Sequence, residues 1–521
     1  MSLRSALWRR HALSGLAEQS GRYGRSVLAR LPRPSRAALL AFAGRHRVLL
    51  VALAVAALLR LVTILGYRWA IWFPDSYPYV ELALNPRPDV VRTFGYPFLL
   101  FLLRPLHSFA VVVTVQHLMG LATAVILYGL LRRPHLFRFG KALPGWAATL
   151  AVAPVLFDGN QIELEHLLLS DTYFLLLVSG AFALVLWTPK PSPRRVAAAG
   201  LLLSMAAITR TIGLPLLIIV LVFLAIRRAG WRTVVAGAVT AIVPIAAYCT
   251  WYASANGQFA LSGTDGVFLY SRTMTFADCD NFGDRLPVNA YPLCDSTPPE
   301  QRKASHFYVW EESQIFRYPG GIFDPYKSEL ARTFAKEAIL AQPGDYVATV
   351  LEDFGRTFRW DRPVYPDPKT YSYYVFPTES QEYWPGRDAS VSRYDAQAQA
   401  THVVEPFAGF MRGYQKVVYL PGTLLGVMLL AGLAGVVASW RRFGGYALLP
   451  FGFAMALLVI PPATVLFDYR YVLPAVPFAA IAAAMALREA HTLYRSRHRP
   501  DNPPRTPAGT AADAEAAPAR S

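Results

Sequence analysis

Long apolar runs recur along this chain, and they restrict its fold more than any other feature of the sequence. A helix needs about 20 predominantly apolar residues to cross a bilayer, and about ten runs approach or reach that length. They cover residues 47–67, 108–131, 142–157, 167–187, 196–209, 211–226, 233–253, 415–439, 445–462 and 469–487. The runs predict a polytopic α-helical membrane protein with about ten transmembrane helices.

The composition supports this fold class and argues against one group of partners. The chain has 521 residues, of which 54% are hydrophobic and 16% charged, whereas soluble domains carry about 25% charged residues. The net charge of +17 does not come from one basic patch. Because the basic residues form short clusters between the apolar runs, we expect no nucleic-acid binding.

Those clusters predict the orientation of the helices. Each even-numbered run is followed by a basic connection, as the positive-inside rule expects on the cytoplasmic side. The residues are Arg132, Arg133, Arg138 and Lys141 after the second run, Lys190, Arg194 and Arg195 after the fourth, Arg227, Arg228 and Arg232 after the sixth, Arg441 and Arg442 after the eighth, and Arg488, Arg495, Arg497 and Arg499 after the tenth. We therefore expect a multi-pass protein of the cell (plasma) membrane with both termini in the cytoplasm.

The same pattern divides the chain into five segments. They are a basic cytoplasmic tail at 1–46, an N-terminal transmembrane module at 47–253, an extracytoplasmic domain of mixed helix and loop at 254–414 (the insertion), C-terminal transmembrane helices at 415–487, and a disordered cytoplasmic tail at 488–521. The first segment lacks the apolar core and cleavage site of a secretory signal. The insertion has about the length of one small domain.

Local signals predict two helices within the insertion. Asp324 and the proline after it are typical of an N-cap and first helical position, and this helix should run to about Ala341. Pro343 and Gly344 interrupt it. Asp345 should then cap a second helix that ends near Arg359.

Cysteine usage agrees with an oxidising location for the insertion. Cys279 and Cys294 both lie there, so we expect a structural disulfide between them. Cys249 falls within the seventh run and is expected only to pack.

No motif points to a cytosolic nucleotide site. The sequence has no Walker P-loop, no GxGxxG after a strand, no HExxH and no GxSxG. Asp278-Cys279-Asp280 matches a DxD pattern, but it encloses the cysteine expected to form the disulfide. We interpret it as a coincidence in a loop.

Asp75 lies directly after the first apolar run, within the sequence Trp72-Phe73-Pro74-Asp75-Ser76-Tyr77. A carboxylate at the edge of the membrane is partly desolvated, which would raise its pKa and make it basic enough to accept a proton. The other interpretation is a loop aspartate that caps a helix or turn.

Several short motifs occur in an order that resembles a known family. They are Asp75, Arg92-Thr93-Phe94-Gly95-Tyr96-Pro97, Leu169-Ser170-Asp171-Thr172-Tyr173-Phe174, Thr209-Arg210-Thr211-Ile212-Gly213-Leu214, Gln342-Pro343-Gly344-Asp345-Tyr346-Val347 and Tyr469-Arg470-Tyr471-Val472-Leu473-Pro474. In this order the chain is similar to the GT-C membrane glycosyltransferases, in the branch with protein O-mannosyltransferases and the lipid A aminoarabinose transferase. The resemblance covers most of residues 47–487.

The resemblance implies transfer of a sugar, hexosyl or pentosyl, from a polyprenyl-phosphate carrier to an acceptor on the outer face. The acceptor would be an envelope glycan, a lipid or a protein. Asp75 would take the proton of the acceptor hydroxyl. With one base and no second nucleophilic carboxylate evident, displacement should be direct and invert the anomeric centre.

Phosphate as a leaving group needs positive charge beside it. Arg92, Arg210 and Arg470 are the candidate donor-phosphate ligands. Arg92 precedes a Gly-Tyr-Pro that fixes the local turn, whereas Arg210 and Arg470 are expected at the outer ends of the fifth and tenth spans, where arginine is usually paired or functional. Arg92 could instead extend to the interface without a catalytic role. Arg470 could pair with Asp468.

Family members often have two adjacent acids in the first loop, whereas Ser76 follows Asp75 here. A second carboxylate could come from Asp171, which fits the family pattern best, or from Glu165 or Glu163. Each could alternatively cap a helix. The need for a divalent cation is left open, because the histidines show no metal-ligand spacing.

Two other functions remain open. A carrier or flippase for lipid-linked saccharides would use intramembrane arginine and aspartate equally well, and a structural subunit of an envelope complex is a third candidate. A transporter would be expected to show internal repeats with broken helices. We find no convincing repeat, and the large insertion favours an enzyme.

Overall fold

The computed structural model describes residues 35–282, 285–311 and 313–498. The chain divides into two compact units, residues 1–54 and 55–521. The described part of the first unit is the start of helix α1, Arg36–Gly66, which has a kink at His46. Most of the predicted N-terminal tail, and the predicted disordered tail from residue 499 onward, lie outside the described residues.

Every predicted apolar run forms helix. These helices are α1 (Arg36–Gly66), α4 (Phe109–Leu131), α5 (Gly145–Phe157), α7 (Asp171–Leu186), α8 (Pro193–Thr209), α9 (Gly213–Ile226), α10 (Trp231–Asn256), α18 (Gly422–Ala438), α19 (Leu448–Thr464) and α21 (Val476–Arg497). The last continues past the predicted limit of the tenth run at residue 487. The predicted fold class, a polytopic α-helical membrane protein, is confirmed.

Length and hydropathy support fewer spans than the sequence predicts. Five helices of the described chain are long and apolar enough to cross a membrane, or six if the pair Phe407–Val417 and Gly422–Ala438, bent by 51°, forms one span. Four further apolar helices have between 10 and 17 residues. The count of about ten stays a prediction.

The remaining helices are short and lie between these. They are α2 (Ser76–Leu84), α3 (Gly95–Leu103), α6 (Gly159–His166), α11 (Asp265–Thr273), α12 (Phe307–Trp310), α13 (Pro325–Ala341), α14 (Pro343–Arg356), α15 (Pro368–Ser372), α16 (Asp388–Tyr394), α17 (Phe407–Val417) and α20 (Tyr469–Val472). Two strands, β1 (Tyr67–Arg68) and β2 (His402–Val403), form an antiparallel pair. This pair fixes the chain just after α1 against the end of the insertion.

The insertion contains the two predicted helices, with one change at a boundary. Asp324 caps α13, its side chain accepting a hydrogen bond from the backbone NH of Tyr326. Helix α14, however, begins at Pro343 rather than after Asp345, and it ends at Arg356. The reason is that a proline has no NH to satisfy and its fixed φ suits the first helical position.

The insertion has a hydrophobic core of its own. Helices α11 and α13 pack together through buried aromatic rings, with Tyr270 and Phe334 in edge-to-face contact at 5.3 Å. The predicted disulfide between Cys279 and Cys294 is present beside this core. Cys249 is a free, buried cysteine.

Candidate active site

The backbone around Asp75, at the start of α2, is fixed by hydrogen bonds of Ser76 and not by the Asp75 side chain. Ser76 is completely buried; its hydroxyl accepts a hydrogen bond from the backbone NH of Phe73 at 2.9 Å and donates to the carbonyl of Leu168 at 3.0 Å. Asp75 occupies the N-cap position, but its carboxylate makes no capping hydrogen bond. The carboxylate is therefore available for other contacts.

Two arginines from distant segments bind that carboxylate. Arg92 donates from Nη2 to Oδ1 of Asp75 at 2.6 Å and from Nε to the same oxygen at 3.2 Å. Nη1 of Arg470 lies 3.5 Å from Oδ2. The three side chains are only 12–19% exposed, so their charges are poorly screened.

These contacts overturn one expectation from the sequence. Burial by itself raises the pKa of Asp75, but the charges of Arg92 and Arg470, with the hydrogen bonds from Arg92, bring it below its ordinary value. The prediction of a raised pKa is therefore wrong. In this state the carboxylate is ionised at neutral pH and is a weak base.

Gly95 packs closely against Thr209, and this contact brings the segments that carry Arg92 and Arg210 together. The hydroxyl of Thr93 donates to the carbonyl of Thr209 at 2.9 Å. A Cβ on Gly95 would lie 2.6 Å from the Cα of Thr209, a contact that only glycine permits. The glycine of the Gly-Tyr-Pro motif thus allows the start of α3 to lie against the end of α8.

Arg210 follows α8 and pairs with Asp171, the first residue of α7. Asp171 is only 1% exposed. The guanidinium of Arg210 also lies 4.9 Å from the centre of the Tyr471 ring. The N-cap residue of α7 is Ser170, not Asp171, and the ion pair with Arg210 is the contact that holds the Asp171 carboxylate.

Arg470 is positioned by aromatic rings. Its guanidinium lies 4.9 Å from the ring centre of Phe73 and 5.2 Å from that of Tyr471. Asp468 accepts instead from the hydroxyl of Tyr374 at 2.6 Å and from the backbone NH of Arg470 at 3.0 Å. Within the described chain, no acceptor is hydrogen-bonded to Nε of Arg470.

These groups line a cavity of about 950 Å³. Its arginine side is lined by Asp75, Tyr79, Arg92, Arg210, Asp468 and Arg470. Its apolar side is lined by Ile212, Pro215, Leu457, Ile460, Pro461 and Val465, which belong to α9 and α19 or adjoin them. A third side comes from the insertion. The carboxylates of Asp75 and Asp468, three guanidinium groups and a set of apolar side chains therefore line one cavity.

Glu165 lies outside this cavity lining. It is fully buried on α6, where Arg60 donates to its two carboxylate oxygens at 2.8 and 2.9 Å. Nδ1 of His117 lies 3.0 Å from the same carboxylate, and Nε2 of His117 lies 3.0 Å from Nδ1 of His166. Of the acids predicted from the sequence, the structure brings Asp75 and Asp171 towards the arginines and leaves Glu165 in a separate buried network.

Other cavity residues carried no signal in the sequence. His306, Trp310 and Asp367 of the insertion line the cavity, but no motif marks them and their neighbours come from distant segments. In the described part of the chain, no group of three or more His, Cys, Asp or Glu side chains could hold a metal ion. Asp75 and Asp171, the carboxylates nearest the arginines, are both engaged by guanidinium groups.

No family model and no curated protein matches this chain. Similar solved structures include the oligosaccharyltransferase AglB from Archaeoglobus fulgidus in complex with an inhibitory peptide and a dolichol-phosphate, with a TM-score of 0.38 and 12% identity over 86% of this chain and 51% of that chain. Another is ArnT from Cupriavidus metallidurans bound to undecaprenyl phosphate, with a TM-score of 0.33 and 13% identity over 86% of this chain and 78% of that chain. This chain thus spans about half the length of AglB.

Proposed function

We propose that this protein is a membrane glycosyltransferase that moves a hexosyl or pentosyl group from a polyprenyl-phosphate carrier to an acceptor on the extracytoplasmic side. The observation that carries the proposal is the contact of Asp75 with Arg92 and Arg470 in a cavity that has an apolar side. The acceptor would be an envelope glycan, a lipid or a protein. Asp75 is the proposed base.

The cavity arginines have hydrogen-bonding capacity that the described residues do not use. Arg92, Arg210 and Arg470 bring three positive charges, and the carboxylates of Asp75, Asp171 and Asp468 lie near them. Nε of Arg470 is buried and has no hydrogen-bond acceptor among the described residues. A donor phosphate would supply that acceptor.

The apolar side of the cavity suits the carrier's lipid chain. Leu457, Ile460 and Pro461 are on α19, and Pro215 is on α9. Both helices are strongly apolar. A polyprenyl chain lying there would place its phosphate towards the arginines.

The lowered pKa of Asp75 links donor binding to catalysis. When a phosphate takes hydrogen bonds from Arg92 and Arg470, the carboxylate loses part of the positive charge that holds its pKa down, and it becomes a stronger base. The acceptor oxygen then attacks the anomeric carbon as its proton moves to Asp75. The bond from that carbon to the phosphate oxygen breaks, and its electron pair leaves with polyprenyl phosphate.

The direct test replaces Asp75 by Asn in purified full-length protein in lipid nanodiscs and measures transfer from labelled polyprenyl-phosphate hexose and pentose donors. We expect a loss of about a hundredfold or more in transfer, the usual scale for a general base. Binding of undecaprenyl phosphate should persist, because Asp75→Asn leaves all three arginines in place.

Glu81→Gln is the matched control. Glu81 lies on the same helix as Asp75, its side chain is 27% exposed, and it pairs with Arg87 outside the cavity lining. Unchanged transfer by Asp75→Asn would remove Asp75 from the chemistry. Movement of the labelled donor across a vesicle membrane without any transfer would favour the flippase.

A further inference from the structure

The side of the cavity formed by the insertion has no role in the donor chemistry. Its main features are two tryptophans, Trp310 and Trp384, and a histidine–aspartate pair, His306 and Asp367. We name these four residues the aromatic wall. Each is contributed by a segment of the insertion, and all lie within the second compact unit of the chain.

The aromatic wall is next to the proposed base. The guanidinium carbon of Arg92, which binds Asp75, lies 6.0 Å from the centre of the Trp310 ring. Trp384 stacks on Tyr77, near Asp75 in the sequence, at 5.3 Å. A molecule held by these rings would therefore lie beside the Asp75 carboxylate.

Both tryptophans keep much of their surface open. Trp310 is 50% exposed and Trp384 44% exposed, although both line a cavity. Phe268 and Phe323 contact Trp310 edge-on at 6.1 and 5.7 Å, so its ring is held in place. A rigid and partly exposed indole gives a large apolar contact at low cost in side-chain entropy.

The polar pair can bond to a hydroxyl group. Nε2 of His306 lies 3.1 Å from Oδ2 of Asp367, and the hydroxyl of Thr370 donates to the same oxygen at 2.8 Å. Nδ1 of His306 is buried and has no hydrogen-bond partner among the described residues. When Nε2–H donates to Asp367, Nδ1 of the neutral imidazole is an acceptor, and it can receive the hydrogen of a hydroxyl group.

The described residues on the insertion side of the cavity carry no surplus of positive charge. The acidic residues are Asp265, Glu311 and Asp367, and the basic residues are Arg332 and Lys369. Asp265 and Arg332 line the cavity and pair with each other at 2.9 Å. No cluster of like charge like that of Arg92, Arg210 and Arg470 is found on the insertion side of the described cavity. An anionic acceptor would meet no surplus of positive charge here, so a neutral one is favoured.

We infer that the aromatic wall binds the acceptor and that the acceptor is a neutral carbohydrate. A sugar ring has an apolar face of C–H groups, which would stack on an indole, and a rim of hydroxyl groups, one of which would donate to Nδ1 of His306. The inference rests on the proposed function, because the hydroxyl presented to Asp75 is the one that would be glycosylated.

The test measures saturation-transfer NMR on the full chain in nanodiscs, with methyl glycosides and neutral disaccharides of hexoses and pentoses as probes. We expect saturation of the ring C–H protons in the wild type, a loss of about tenfold or more in affinity in Trp310→Ala, and partial recovery in Trp310→Phe. Trp146→Ala is the matched control, since Trp146 is 61% exposed on α5 and lies outside the cavity lining.

Binding of undecaprenyl phosphate is measured in parallel and separates the two proposals. If the carrier binds in the wild type and in Trp310→Ala, but no neutral glycoside binds the wild type, the inference about the acceptor is overturned and the proposed function stands. The inference is also overturned if a peptide or a phospholipid headgroup displaces the glycoside and depends on Trp310 for its binding. If the carrier itself fails to bind, the proposed function fails. Thermal unfolding shows whether each variant is folded. If Trp310→Ala does not fold, the affinity of Trp310→Phe for the glycosides is compared with that of the wild type instead.

Discussion

At the scale of single residues, the main finding is the pair of arginines on Asp75. A base is useful only if its pKa is close to the working pH, and here Arg92 and Arg470 lower the pKa of Asp75. The arrangement keeps the carboxylate from accepting a proton before a donor arrives. Substrate order would then be imposed by charge, with the carrier binding first.

Arg470→Gln tests this coupling through the pH dependence of kcat/KM. The base must be ionised to act, so activity falls as the pH falls through the pKa of Asp75. Removing one of the charges that lowers this pKa raises it, and the acidic limb of the profile should move to higher pH. A limb that stays where it is in the wild type, despite a lower rate, would show that Arg470 acts only on the phosphate.

At the scale of elements, Gly95 decides how closely α3 approaches α8. A Cβ there would lie 2.6 Å from the backbone nitrogen of Thr209, so Gly95→Ala must displace the segment that carries Arg92. We expect a cost of about 1–3 kcal/mol in stability, typical of overpacking, and weaker binding of undecaprenyl phosphate. Gly344→Ala, where a Cβ meets nothing within 4 Å, should change neither thermal unfolding nor carrier binding. Equal behaviour of the two variants would contradict this role for Gly95.

At the scale of the whole molecule, Arg60 and Glu165 join helices that are far apart in the sequence. Both side chains are at most 2% exposed. Glu165→Leu leaves Arg60 without a counter-charge, and we expect a loss of about 3–5 kcal/mol, seen as a lower unfolding temperature. The double variant Arg60→Leu/Glu165→Leu should recover much of that loss, because no unpaired charge remains. A double variant less stable than Glu165→Leu alone would show that the pair itself is needed.

The sequence predicted those features that depend on neighbouring residues. The apolar runs, the cap at Asp324 and the Cys279–Cys294 disulfide each depend on a short segment or on its compartment. The surroundings of Asp75 depend on Arg470, from the other end of the chain, so its lowered pKa could not be predicted. The sequence also could not show that Glu165 is paired, because its partner Arg60 is remote in the sequence. The sequence alone therefore makes Glu165 a candidate acid.

The three guanidinium groups around one cavity also affect how each cycle ends. A sugar-linked carrier is a phosphodiester with about one negative charge, whereas the spent carrier is a monoester that approaches two near neutral pH. Arg92, Arg210 and Arg470 would hold the second more tightly than the first. The proposed function therefore predicts product inhibition by the used lipid, with its release, rather than bond cleavage, setting the turnover rate.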